Sequence, residues 1–294
     1  MLARLMTFLV SLSVASAADA ITVTFTNPVE LADGRSYYYN DPIYKMTTLR
    51  FTDIATDQGT TVDMRVTTTI KTDTLFADDY RVRTNRRWRD DDLGYIPRYE
   101  TGSTGEPNDD LGFQYIGQNS NANEKGITMT FDFFDGTGAL SGTFTNALVV
   151  SQLDWAIYDV DGEASQTEFF RAFKSDGLYS FRLGNTPQAL TATDSGGNAI
   201  RFDGVGTNYS ESDPSGAAIL TYLNTSSFTL DFGSVQSDPD DNFVFSGIDG
   251  DLSMFDLADF TDPFMIPTTV PLPAGLALML SSLGALALVR RRRT

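Results

Sequence analysis

Neither cysteine nor histidine occurs anywhere in the 294 residues. Without thiols there is no disulfide framework, no thiolate metal site and no cysteine nucleophile. Without imidazole, Ser-His-Asp and Cys-His catalysis, imidazole-bound zinc or iron, and the commonest general base near neutral pH are excluded as well. Carboxylates, hydroxyls and lysines remain. No P-loop, dinucleotide fingerprint or nucleophile elbow is present. A clean helical period of ten or more residues is also missing outside the two ends, with Ala164 to Lys174 the one stretch that suits a short helix.

Basic residues are scarce. The chain carries 21 against 39 acids, a net charge of −18. Five of the 21, Arg4 and Arg290 to Arg293, lie in the terminal segments, so the remainder has 16 against 39, or −23. Such a field repels nucleic acid and anionic lipid and attracts cations, which argues against nucleic-acid binding. It also suits plain solubility in a salty exterior. Hydrophobics at 41% and aromatics at 12% supply enough core to exclude a wholly disordered chain.

Residues 1–17 start with Arg4, pass through the apolar run Leu5 to Val14 and end in Ala15-Ser16-Ala17, a small-x-small cleavage pattern. The run is well short of the ~20 residues a span needs, so it reads as a secretory signal helix, removed by signal peptidase. Ala18-Asp19-Ala20 offers a second cut, after Ala20.

At the other end Val270-Pro271-Leu272-Pro273-Ala274 leads into an apolar run to Val289, followed by Arg290-Arg291-Arg292-Arg293-Thr294. Pro273 suits a helix start, where its missing N–H has no intrahelical acceptor. From Leu272 the run is near the minimum length for a transmembrane helix, and the four arginines predict a cytoplasmic terminus. Together these three parts resemble the VPLPA variant of the PEP-CTERM sorting domain, over roughly the last twenty-five residues and not the body. The resemblance implies recognition by an exosortase, a transpeptidase-like membrane enzyme of Gram-negative bacteria. It further implies removal of the tail and delivery from an inner-membrane-anchored precursor to the cell surface or an exopolysaccharide matrix. A plain tail anchor explains the helix and the arginines but not the Pro-Leu-Pro segment.

The body, 18–255, alternates apolar and polar residues. Ile21, Val23 and Phe25 share one face of a strand with threonines on the other. Similar patterns recur at 47–51, 61–70, 127–133, 147–158, 179–183, 199–202, 218–222, 227–232 and 243–248, with turn clusters such as Asp33-Gly34, Ser195-Gly196-Gly197-Asn198 and Asp203-Gly204 between them. Many short strands punctuated by Gly, Asn and Asp predict an all-β fold, an antiparallel β-sandwich of jelly-roll type. Residues 89–126 are polar and turn-rich and read as an insertion. Residues 256–269 read as a linker to the tag, 270–294.

A strand ending in Tyr158-Asp159-Val160-Asp161-Gly162-Glu163 places Asp159 and Asp161 on one side of the chain, and Ile248-Asp249-Gly250-Asp251 repeats the spacing. Hard carboxylates with backbone carbonyls are what calcium takes. If the two strand ends meet, Asp159, Asp161, Asp249 and Asp251 form one Ca²⁺ shell; otherwise Asp-Gly pairs are ordinary turn chemistry. The loop is not an EF-hand, since no bidentate glutamate stands at its twelfth position. This pattern is loosely similar to β-rich bodies of sorting-tagged surface proteins, a similarity that implies no activity and no ligands.

Arg81 to Arg89, with Trp88, form a basic and aromatic patch suited to stacking on sugars or to offsetting neighbouring aspartates. Tyr37-Tyr38-Tyr39 and Trp155 suit either a carbohydrate platform or a buried core. No residue is assigned to glycan contact. Three functions stand: a non-enzymatic structural or glycan-associated surface protein, a glycan-active enzyme using two carboxylates, and a calcium-dependent adhesin.

Overall fold

The computed structural model of the chain describes residues 20–25, 48–70, 110–116, 125–162, 166–185, 189–210, 212–236 and 243–267. The signal segment, Tyr37 to Tyr39, Arg81 to Arg89 and the whole tag with Val270 to Ala274 and Arg290 to Arg293 lie outside the described residues.

Strands β1 (Thr48–Asp57) and β2 (Thr60–Ile70) open the fold as a hairpin. Their two-residue turn puts Gln58 at φ 48° and Gly59 at φ 86°. Positive φ at both central positions matches the right-handed twist of the flanking strands. β3 (Leu111–Ile116), β4 (Lys125–Asp135), β5 (Val150–Tyr158), β6 (Gln166–Phe173) and β7 (Leu178–Leu183) follow. β8 (Leu190–Asp194), β9 (Ala199–Gly204), β10 (Ala218–Thr225), β11 (Ser227–Gln236), β12 (Phe243–Asp249) and β13 (Phe264–Met265) complete the set.

A seven-stranded sheet runs β1-β2-β4-β11-β6-β9-β8 and a six-stranded sheet runs β13-β7-β10-β5-β12-β3. Within each sheet every pairing of these strands is antiparallel. The alternation visible in the sequence sends Val62, Met64 and Val66 of β2, and Ile127, Met129, Phe131 and Phe133 of β4, into one shared core. Trp155 of β5 crosses from the opposite sheet to meet Phe131 at 5.0 Å and Phe228 at 5.0 Å, both edge to face. Phe181 of β7 meets Phe202 of β9 in the same way at 5.1 Å. Two antiparallel sheets sharing one buried layer make the all-β sandwich expected from the strand pattern. Ile21, Val23 and Phe25 are buried as the alternation requires, but this segment joins the sheet only through a bridge from Ile21 to Leu153.

Three segments differ from expectation. Ala164 to Lys174 does not form the expected helix: residues 166–173 are β6, held between β11 and β9, and Lys174 only opens a short 3-10 turn to Asp176. Its aromatic run satisfies both periods, and ladder partners on each side favour the extended form. The insertion at 89–126 contains β3, which pairs along β12. The expected linker is packed as far as Ile266. Phe260 (4% exposed) lies with Ala156, Tyr158, Ala217 and Ile219 on the outer face of the six-stranded sheet, and β13 pairs with β7. Burial of Phe260 and Ile266 outweighs the polar, proline-containing character that suggested a tether.

Candidate functional site

The β5–β6 turn carries the first acidic pair. Asp159 adopts φ 57° and is half-buried, whereas Asp161 is 3% exposed. Gly162, at φ 86°, turns the chain so tightly that a Cβ there would stand 2.2 Å from the Gln166 carbonyl oxygen. The Asp161 carboxylate accepts the backbone N–H groups of Gly162 and Tyr209. Its backbone carbonyl accepts from Gly206 at 2.9 Å. Burial raises its carboxyl above the ordinary range against the pull of those N–H donors, and Asp213 adds to the rise.

Glu168 joins this pair, and the sequence alone did not single it out. It occupies an inward position of β6, in phase with Phe170 and Ala172, and is 6% exposed. Gln166 Nε2 donates to Oε1 at 3.0 Å, while Oε2 has no partner among the described residues. Burial, and then the charges of Asp161 and Asp159, push this carboxyl well above its ordinary value. The signal available in the sequence was the strand period of 166–172, which places an acid on the core face.

The second pair ends β12. Asp249 is fully buried, and its carboxylate accepts from the backbone N–H groups of Asp251 (3.0 Å), Leu252 (2.7 Å) and Met254 (3.1 Å). Asp251 in turn accepts from Ser253 at 2.8 Å. Burial and the neighbouring Asp251 carboxyl raise Asp249 to about 7. The cluster therefore shapes the loop that covers the outer face of the six-stranded sheet.

The structure does not bring the four aspartates into one shell. Among the described residues no three acidic side chains form a group that holds a metal ion as placed. The physical reason lies in the donors already present: the carboxylates of Asp161 and Asp249 are taken up by backbone N–H groups of their own loops.

A different constellation covers the outer face of the seven-stranded sheet. In register across it run Arg65, Asp132 and Ser227, then Thr67, Thr130 and Thr229, then Thr128, Asp231, Arg171 and Arg201. Arg65 donates to Asp132 Oδ2 at 2.7 Å, and Ser227 donates to Oδ1 at 2.8 Å. Thr128 donates to Asp231 at 2.6 Å, and Arg201 to Asp203 at 2.6 Å. The guanidinium groups of Arg201 and Arg171 lie 3.8 Å and 5.0 Å from the ring centre of Phe169, so this outward aromatic is fully buried beneath charge. Hydroxyls, carboxylates and planar guanidiniums thus form a hydrogen-bonding lattice whose arginines and aspartates balance one another. Trp155, considered for a sugar platform, is in the core with no exposure.

No family model matches the chain, and no curated protein matches it. Among solved structures, the N-terminal domain of the Streptococcus gordonii adhesin Sgo0707 is similar over 79% of this chain, at 14% identity and a TM-score of 0.45. Glucan binding protein C of Streptococcus mutans is similar over 68%, at 13% identity and a TM-score of 0.34. This chain spans 62% of the first of those chains and 56% of the second.

Proposed function

We propose that the chain is a non-enzymatic, structural or glycan-associated component of a bacterial cell surface or exopolysaccharide matrix, sorted by an exosortase through its C-terminal tag. The observation that carries the reading is the three-part terminus Val270 to Ala274, the apolar run to Val289 and the arginines 290–293, set behind a body with an export signal. The absence of histidine and cysteine supports a non-catalytic role. The outer lattice of Arg65, Arg171, Arg201 and their aspartate and threonine neighbours supports glycan association, because planar polar groups at fixed spacing suit vicinal hydroxyls.

Immunoblots of fractionated wild-type and exosortase-deficient cells test the sorting step. The expected result is a shorter, surface-associated form in the wild type and a longer, membrane-bound form in the mutant. Equal length and equal location in both strains overturn it.

A calcium site of the kind expected from Asp159, Asp161, Asp249 and Asp251 requires these side chains to move from where they stand, and its remaining support is the acidic character of the two strand-end turns. Thermal melts with added calcium and with chelator test this point, and an unchanged midpoint removes calcium from the account.

A further inference from the structure

An edge strand normally carries charge or sits under cover, since its open backbone and any apolar side chains invite unwanted pairing. β13 protects its backbone by being two residues long between Pro263 and Pro267, but its side chains carry no charge and stand exposed. It is the edge of the six-stranded sheet, and both its residues are exposed, Phe264 at 48% and Met265 at 52%. Phe264 stacks on Phe181 at 5.0 Å, which holds its ring in place at the surface. Tyr179 is exposed on β7 beside this edge, where its carbonyl accepts the Ile266 N–H at 2.8 Å. Pro263 and Pro267 flank the strand and are exposed too. From Phe260 to Val289 the sequence has a single charged residue, Asp262, in a chain whose charged fraction is 20%.

This apolar edge is also where the chain leaves the body for the tag. Only four residues separate Pro267 from Leu272, where the apolar run begins. Fully extended, those five Cα steps reach ~17–18 Å. The headgroup layer on one side of a bilayer is ~5–8 Å thick, half the difference between total and hydrocarbon thickness. With the run from Leu272 in the hydrocarbon, Pro267, two residues after β13, therefore stands no more than ~9–13 Å beyond the headgroups. The body as a whole is too acidic to be drawn to anionic lipid, so contact there must be apolar.

We propose that the exposed edge of Pro263, Phe264, Met265 and Tyr179 docks on the lipid interface of the bilayer entered by the tag, holding the body against the membrane until the tail is removed. This rests on the membrane reading of the tag, and the test separates the two.

Because the chain has no cysteine, single cysteines place a probe at will. Full-length chains carrying Asp262→Cys, Leu280→Cys or Thr193→Cys are labelled with a small fluorophore. Each is reconstituted at one chain per phosphatidylcholine nanodisc, in separate discs carrying a headgroup-depth quencher lipid, which reads 262 and 193, or an acyl-chain-depth quencher lipid, which reads 280. The expected result is loss of most emission at 262 and 280 and none at 193, an exposed site on β8. Adding Phe264→Ser and Met265→Ser restores emission at 262 while 280 stays quenched. Quenching at 280 without quenching at 262 overturns the docking proposal and leaves the tag reading intact. No quenching at 280 overturns both. Quenching at 193 as well, or protection at 262 that appears only with two chains per disc, overturns the docking proposal in favour of indiscriminate adsorption or of a second copy covering the edge.

Discussion

Asp63 and Tyr222 are both buried polar residues, and the difference between them lies in their partners. Asp63 has no exposure, yet its carboxylate accepts from the backbone of Asp53 at 3.0 Å and of Gly142 at 2.7 Å. It thereby ties the bulge in β1 to the turn at 138–142. Asp63→Ala removes the acceptor of two part-buried backbone N–H groups and is expected to cost about 1–2 kcal/mol in denaturant unfolding. Tyr222 is equally buried, but its hydroxyl has no partner among the described residues and its ring stacks on Phe228 at 4.4 Å. Tyr222→Phe keeps the ring and removes the unsatisfied group. Calorimetry should therefore show no loss and a gain of up to about 1 kcal/mol. No period or motif in the sequence separates these two cases.

Strand existence was legible wherever alternation ran for several residues, as in β2, β4, β10 and β11. The strands that escaped notice are β3, β6, β8 and β13, each short or ambiguous on its own and each specified by the ladder beside it. β13 shows the consequence most directly. Leu183 and Thr261 exchange hydrogen bonds, and Phe264 pairs with Phe181, so 260–266 closes the free side of β7. A chain ending at Phe255 lacks this cover together with buried Phe260 and Ile266. It is expected to melt at least several degrees lower than a chain ending at Pro267 and to self-associate in sedimentation velocity, whereas a true tether there would leave both properties unchanged.

Across the whole molecule, burial raises the carboxyls of Asp161, Glu168 and Asp249, the last to about 7. A carboxyl whose value in the fold exceeds its unfolded value binds more protons folded than unfolded. Its stabilising contribution is full below the unfolded value and is lost as pH rises through the folded value. The melting temperature in chelator is therefore expected to fall between pH 5 and pH 8, with a loss on the order of a few kcal/mol traceable to Asp249. Repulsion within a chain of net charge −18 acts in the same direction. Asp249→Asn should flatten this decline, and a melting temperature that rises from pH 5 to pH 8 in the parent chain counts against the assignment.

Composition and periodicity alone determined the all-β class, the main strands and their inward faces, because these follow from which residues leave water and from the two-residue repeat of extended chain. They also marked out Asp159, Asp161, Asp249 and Asp251 as unusual. Only the tertiary structure decided what those carboxylates do, since a carboxylate's role depends on which donors the fold delivers to it. Backbone N–H groups from Tyr209, Leu252 and Met254 occupy Asp161 and Asp249, and Glu168 arrives beside Asp161 from another strand. Of these only the Tyr209–Asp161 bond joins residues far apart along the chain; the others are local but depend on how each turn closes, and side-chain type and spacing carry no record of that closure.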